Sequence, residues 1–281
     1  MIPQKKVIKV QQYDKNTPIE FYTIEDNNDL FIFDYHYQYN FYQIFWFTKV
    51  TSQHSQEIDF KTYPIIENHL WIIYPGQVQF FNPNGICGYY MAIDKDYFNR
   101  IIFQQLKTNL FKAIPPLHFA ITTENTIIFK HLIELIKKEW LSKKRVDLLD
   151  KYLTLWLIHL QDSEILNDTI SSTDGRLFVL LELIEANFVT HRSNVFYADK
   201  IALSVKRMNE ILYLNTGYTL TQHIQQRLVL ESKRLISYSN ENIQTISNRL
   251  GFTEVNYFNR FFKKHTGQTP LDFRNNFLKV Q

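Results

Sequence analysis

A chain of 281 residues, 45% apolar and 16% aromatic, is long enough for about two domains with buried cores. Its one cysteine, Cys87, excludes an internal disulfide and fits a reducing compartment. No stretch approaches the ~20 apolar residues of a membrane helix, and Met1 to Asp14 carries Lys5, Lys6 and Lys9 without the apolar run of a signal peptide. The expectation is a soluble, cytoplasmic protein with no membrane partner. The net charge of +3 is too small to indicate nucleic acid alone, but it is uneven. From residue 170 onward 14 Lys and Arg face 9 Asp and Glu, which leaves −2 for residues 1–169. A basic C-terminal part on a slightly acidic N-terminal part fits a DNA-binding module attached to something else.

Residues 20–93 read as strands. Leu30-Phe31-Ile32-Phe33, Tyr42 to Phe47, Leu70 to Tyr74 and Gly88 to Ile93 are short aromatic or β-branched runs, separated by turn signals such as Asn27-Asn28, Pro75-Gly76 and Pro83-Asn84-Gly85. Such spacing predicts a barrel or sandwich. After Asp94 the period changes, and helices are predicted over 95–107, 124–143 and 147–162. The last two carry apolar stripes, with Leu132, Ile133, Leu135 and Ile136 on one and Leu149, Leu153, Trp156, Leu157 and Leu160 on the other. Those stripes predict a homodimer through helix pairing across a two-fold axis; the competing reading packs them on the strands of the same chain. The polar stretch from Asp162 to Asp174 predicts a linker. Beyond it helices are expected over 175–190, 196–202, 205–214, 220–237, 243–250, 254–265 and 270–278.

The C-terminal part contains an internal repeat. Thr216-Gly217-Tyr218-Thr219 returns as Thr266-Gly267-Gln268-Thr269, and Met208-Asn209 returns as Phe258-Asn259. Upstream, Ile201, Leu203 and Ser204 match Leu250, Phe252 and Thr253, with one more residue in the second turn. Each copy reads as a short helix, a tight turn and a second helix, which is the helix-turn-helix that lays its second helix in a DNA major groove. Gly251 suits a left-handed residue, Ser204 and Thr253 are expected N-caps, and Val255, Phe258, Phe261 and Phe262 face a core. Exposed positions are then Lys206, Arg207, Asn209 and Glu210 in the first copy, and Asn256, Tyr257, Asn259, Arg260, Lys263 and Lys264 in the second. Asn209, Asn256 and Arg260 have the chemistry to read bases, because Asn pairs bidentately with adenine and Arg with guanine. Lys206, Arg207, Lys263 and Lys264 suit phosphates, and the Ser204 hydroxyl can face one too. Glu210 is repelled by phosphate; it accepts from a cytosine amino group, or it pairs with Arg207 or Lys206.

Ile246, Gly251, Phe252, Tyr257, Phe258, Arg260, Phe262, Lys263, Gly267, Thr269, Pro270 and Arg274 resemble, in order and spacing, the second helix-turn-helix of the AraC/XylS family of bacterial transcription regulators. Ser247 stands where that family usually has Ala, Asn256 where it has Ser, and Glu210 where the first unit often has Arg. The resemblance implies a double helix-turn-helix joined by the long helix 220–237, with a cupin-like β-barrel before it. The implied organisation is a sensor or dimerisation domain over 1–162 (barrel to about 93, helices 95–162), a linker over 163–173 and a DNA-binding domain over 174–281.

The cupin-like resemblance is looser and covers about sixty residues, from Tyr35 through Gln79. Enzymatic cupins hold a divalent metal on an H-x-H pair and a later His. Here those places are Tyr37, Tyr39 and Gln79, with His36 one position off, so no metal, cofactor or catalytic residue is expected. Tyr37, Tyr39, Trp46, Trp71 and Gln79 could instead line a pocket for a sugar or aromatic effector, or be plain core. The reading is a transcription regulator that binds duplex DNA, and RNA polymerase if it activates, under small-molecule control. The alternatives are a ligand-free N-terminal dimerisation or protein-interaction domain, or a cupin enzyme fused to a DNA-binding tail.

Overall fold

A computed structural model describes residues 9–11, 17–26, 36–102, 117–161 and 176–279. The expected strand Leu30–Phe33, the end of the 95–107 helix and the linker lie outside these residues. The chain divides into two compact units, whose described residues lie within 9–161 and 176–279. Among the described residues no helix is long and apolar enough to cross a membrane.

Among the described residues the N-terminal unit contains ten strands: β1 Lys9–Gln11, β2 Ile19–Thr23, β3 Tyr37–Tyr39, β4 Tyr42–Val50, β5 His54–Ile58, β6 Lys61–Ile65, β7 His69–Ile73, β8 Val78–Phe81, β9 Ile86–Ile93 and β10 Leu117–Ala120. They form two five-stranded sheets, ordered β1-β3-β8-β5-β6 and β10-β7-β4-β9-β2, which fits the sandwich of the two alternatives and not the closed cupin-like barrel that the resemblance implied. Pairing is antiparallel except between β1 and β3. The sheets share an inner core, where Ile58 and Phe81 of the first join Phe45, Phe47, Trp71, Ile73 and Tyr90 of the second.

The second sheet is covered on its other face as well. Helix α1 (Lys95–Arg100) brings Phe98 against Tyr42, with ring centroids 4.4 Å apart. Helices α2 (Thr123–Leu141) and α3 (Val146–Gln161) bring Phe129 against Trp46 at 6.0 Å and Trp156 against Phe129 at 5.0 Å. Cover on both faces is why Tyr42 to Phe47 reads as an unbroken apolar run; an alternating strand has one wet face. It also overturns the use made of the helix stripes. Leu132, Ile133, Ile136, Leu149, Leu153, Trp156 and Leu160 are all buried within the chain, and Leu135 alone of the stripe is exposed. The apolar side chains left in water on these helices are others, Ile127, Leu141, Val146, Leu155 and Ile158.

The C-terminal unit is helical: α4 Arg176–Asn187, α5 Asn194–Lys200, α6 Val205–Thr216, α7 Leu220–Tyr238, α8 Ile243–Arg249, α9 Val255–Thr266 and α10 Pro270–Lys279. One apolar core runs through it, with Met208, Leu212, Leu220, Phe258 and Phe262 fully buried. Helix α7, opened by a Thr219–Gln222 capping box, connects the α5–α6 pair to the α8–α9 pair.

Candidate nucleic-acid interface

The two helix pairs share the hydrogen bonds that open their turns, although the second turn is one residue longer. In the first, Ala202 takes φ +51° and the Leu203 N–H donates to Ala198 O at 3.0 Å. In the second, Gly251 takes φ +73° and the Phe252 N–H donates to Ser247 O at 3.0 Å. Ala198 and Ser247 are both buried, since only a small side chain lets the helices cross there. At the far ends, Thr216 donates to Leu212 O at 2.7 Å and Thr266 to Phe262 O at 2.8 Å, and Gly217 and Gly267 close α6 and α9 in left-handed conformation.

The extra residue in the second turn changes the cap. Ser204 accepts from the Arg207 N–H and caps α6 as expected. Thr253 does not cap α9; Glu254 occupies that place and makes no side-chain cap bond. Thr253 is left exposed on the approach to α9.

On α9, Asn256, Tyr257, Arg260, Lys263 and Lys264 are exposed, on the side opposite the buried Phe258 and Phe262. A helix with three cations on one bare face and two phenylalanines beneath it presents charge while losing none of its anchorage. Asn259 differs: it is half-buried, and its Oδ1 has no hydrogen-bond partner.

On α6 the same positions are occupied differently. Lys206 and Arg207 are exposed, and Glu210 receives the Arg207 guanidinium at 3.1 Å, the second of the two roles open to it. Asn209 does not reach outward as expected of a base reader. Its Nδ2 donates to Val205 O at 3.0 Å and its Oδ1 accepts from the Leu220 N–H at 2.9 Å. That N–H is one of the four that α7 cannot satisfy internally. In the second copy Pro270 replaces Leu220 and has no N–H to offer, which is why Asn259 Oδ1 is left over.

Sequence reasoning passed over Tyr213 and Leu214, which are 60% and 79% exposed on α6. With Lys206, Asn209 and Glu210 they line a shallow hollow of about 460 Å³. The signal was available: the repeat sets them opposite Lys263 and Lys264. The outer face of α6 is therefore partly apolar and nearly neutral where that of α9 is basic.

In the N-terminal unit, strand alternation sorts the expected pocket residues. Tyr37 and Tyr39 stack at 5.9 Å, Gln79 pairs with Tyr37 across β3–β8 and donates to Gln56 at 3.1 Å, and Trp71 joins the inter-sheet core. Trp46 does not belong with them. It lies between Phe45 and Phe47, which face that core, so it points the other way, to Phe129 and Tyr89. Among the described residues of this unit the buried amide and indole donors Gln43 Nε2, Trp46 Nε1, Gln56 Nε2, Trp71 Nε1 and Trp156 Nε1 have no acceptor, and of these Gln43, Gln56 and Trp71 lie on the strands that enclose the inter-sheet core. Burial raises the Tyr39 hydroxyl above its ordinary pKa and holds it protonated. His36, nearly buried, meets Glu57 at 3.0 Å and stacks on Phe80, and no cluster of three His, Cys, Asp or Glu occurs among the described residues.

Residues 197–276 match the family model of a helix-turn-helix domain. The HTH-type transcriptional activator RhaS of Citrobacter koseri is 28% identical over 104 residues, 37% of this chain and 37% of its own length. RhaS of Yersinia pestis is 28% identical over 102 residues, covering 36% and 37%. The chain thus spans a little over a third of the length of the curated relatives it matches. ToxT of Vibrio cholerae, in a crystal structure with unsaturated fatty acid bound, is 14% identical over 91% of this chain and 94% of its own, at a TM-score of 0.45.

Proposed function

We propose, for a chain whose C-terminal unit carries the helix-turn-helix domain of the AraC/XylS regulators, a transcription regulator that binds a specific DNA sequence through α6 and α9. Both helix pairs act as helix-turn-helix units, with residues 174–281 as the DNA-binding domain. The observation that carries this is the face of α9: Asn256, Tyr257, Arg260, Lys263 and Lys264 exposed on a helix whose opposite side is locked into the core. Arg260, in the N-terminal half of α9, reads a base; Lys263 and Lys264 neutralise phosphates; Lys206, Arg207 and the capped N-terminus of α6 hold the neighbouring stretch of backbone.

The N-terminal unit is the regulatory part. Gln43, Gln56 and Trp71 leave buried donors without acceptors between aromatic side chains, which suits an uncharged effector rich in acceptor oxygens, such as a sugar or an aromatic carbonyl compound. No step of chemistry is assigned to it, because Tyr37, Tyr39 and Gln79 stand where a metal-dependent cupin needs imidazoles. Dimerisation, if it runs through the helices, uses the exposed Leu155 and Ile158. RNA polymerase is a partner if the chain activates.

Selection of bound duplexes from random DNA tests the assignment. Arg260→Ala should cost about 1–3 kcal/mol on the selected site and relax preference at one position, whereas Lys263→Ala should weaken all sequences evenly. Equal losses on every duplex from both variants, or no salt-dependent binding by the wild-type chain, would refute it.

A further inference from the structure

Two recognition helices grip one duplex only if their separation is held, since each base pair between their contacts shifts one relative to the other by about 3.4 Å. Helix α7 is the covalent connection between the pairs. Besides that helix and the shared apolar core, a polar connection runs through one side chain. Arg192, in the loop between α4 and α5, donates from Nη2 to Leu250 O at 2.6 Å. Its guanidinium also lies over the Phe252 ring, 4.3 Å from the centroid. Leu250 and Phe252 flank Gly251 in the turn of the second pair, and a Cβ on Gly251 would come within 2.8 Å of Val189 O in the same loop.

The other end of the loop is pinned to the first pair. The Tyr197 hydroxyl donates to His191 O at 2.9 Å, and the His191 ring stacks on Phe196 at 3.9 Å. Phe196 and Tyr197 belong to α5, which supports α6. A continuous path therefore runs from α5 through His191 and Arg192 to the turn that sets the direction of α9.

We propose that Arg192 is a positioning residue that fixes the distance between the two recognition helices, and with it the number of base pairs that must separate their contacts. The role rests on the reading of both helix pairs as DNA-binding units. A planar guanidinium suits it, because it donates in its plane to the carbonyl while its face lies flat on the ring; an ammonium has no plane with which to do both in one fixed geometry.

The test uses the full chain, with the selected duplex and one carrying a single extra base pair between the two contact blocks. The ratio of affinities measures spacing discrimination. Arg192→Ala should reduce that ratio about tenfold, or about 1.4 kcal/mol, the scale of one charged hydrogen bond. Arg192→Lys should recover part of it. Loss of affinity for both duplexes by one common factor overturns the proposal, since that is the mark of a purely structural residue. A spin-label distance between Leu214→Cys and Lys264→Cys, in a Cys87→Ser background, reads the brace without DNA. The distribution should broaden in Arg192→Ala and stay narrow in the parent; equal widths overturn the brace. If the wild-type chain selects no duplex, the DNA-binding reading fails, and the spin-label widths still decide the brace.

Discussion

Replacing Asn209 separates a structural role from a reading role. Both polar atoms of its side chain are engaged, Nδ2 with Val205 O and Oδ1 with the Leu220 N–H. Alanine strands the first N–H of α7 in a half-buried place, a penalty of about 1–3 kcal/mol, and removes a second hydrogen bond worth about 1 kcal/mol. Alanine also returns about 0.5 kcal/mol of helix propensity within α6. The net is a loss of about 1.5–3.5 kcal/mol. For a unit of this size that lowers the midpoint of its thermal transition by roughly 6–20 °C. Asn209→Asp keeps the acceptor, adds a favourable charge at the α7 N-terminus and loses only the donor, so it should fall between. Asn259→Ala is the internal control: Pro270 offers no N–H, Oδ1 is already unpartnered, and the change should be nearly neutral. Thermal melts followed by circular dichroism give the order, and DNA selection well below the transitions should return the wild-type base preference for Asn209→Ala. An unchanged melt, together with lost preference at one adenine, would show that Asn209 reads a base after all.

Leu153→Glu should not give a folded monomer, because Leu153 is wholly buried; a charge placed there costs more than about 4 kcal/mol and should unfold the N-terminal unit. Leu155→Glu with Ile158→Glu, at exposed positions of the same helix, should keep the fold and turn a dimer into a monomer by light scattering; a wild-type chain that is monomeric at tens of micromolar removes the dimer. The Glu139 carboxylate accepts from Arg145 N, Nε and Nη2 at 2.9, 3.0 and 2.8 Å, and these bonds pull its pKa from the ordinary 4.5 down to about 2. A depressed carboxyl contributes stability above its unfolded pKa and loses it as pH falls through the folded one. The difference in melting temperature between wild type and Glu139→Gln should therefore be full at pH 5 and shrink toward pH 2; a difference independent of pH would refute the ion-pair assignment.

Local chemistry was readable from the chain itself. Glycine, a serine cap and aromatic residues at helical spacing define α5–α6 and α8–α9, because these signals act within a few residues, and the repeat appears as Thr216-Gly217 and Thr266-Gly267 before any coordinate is known. The short aromatic and β-branched runs of β4, β7 and β9, bounded by turn residues, were legible for the same reason. What the chain could not declare is which partner each face meets. The stripe on α2 and α3 reads equally as a dimer interface or as a lid on a sheet, since a hydrophobic side chain encodes burial but not against what; only the packing of Phe129 on Trp46, and of Trp156 on Phe129, decides for the sheet. Trp46 has the aromatic chemistry of a pocket residue, but a strand covered on both sides loses the alternation that tells its faces apart. Asn209 has the composition of a base reader, yet the N–H that claims it belongs to a helix eleven residues on. Arg192, in an unremarked loop, meets its carbonyl 58 residues away. Contacts of that range depend on where the chain returns in space, and so tertiary structure alone assigns them.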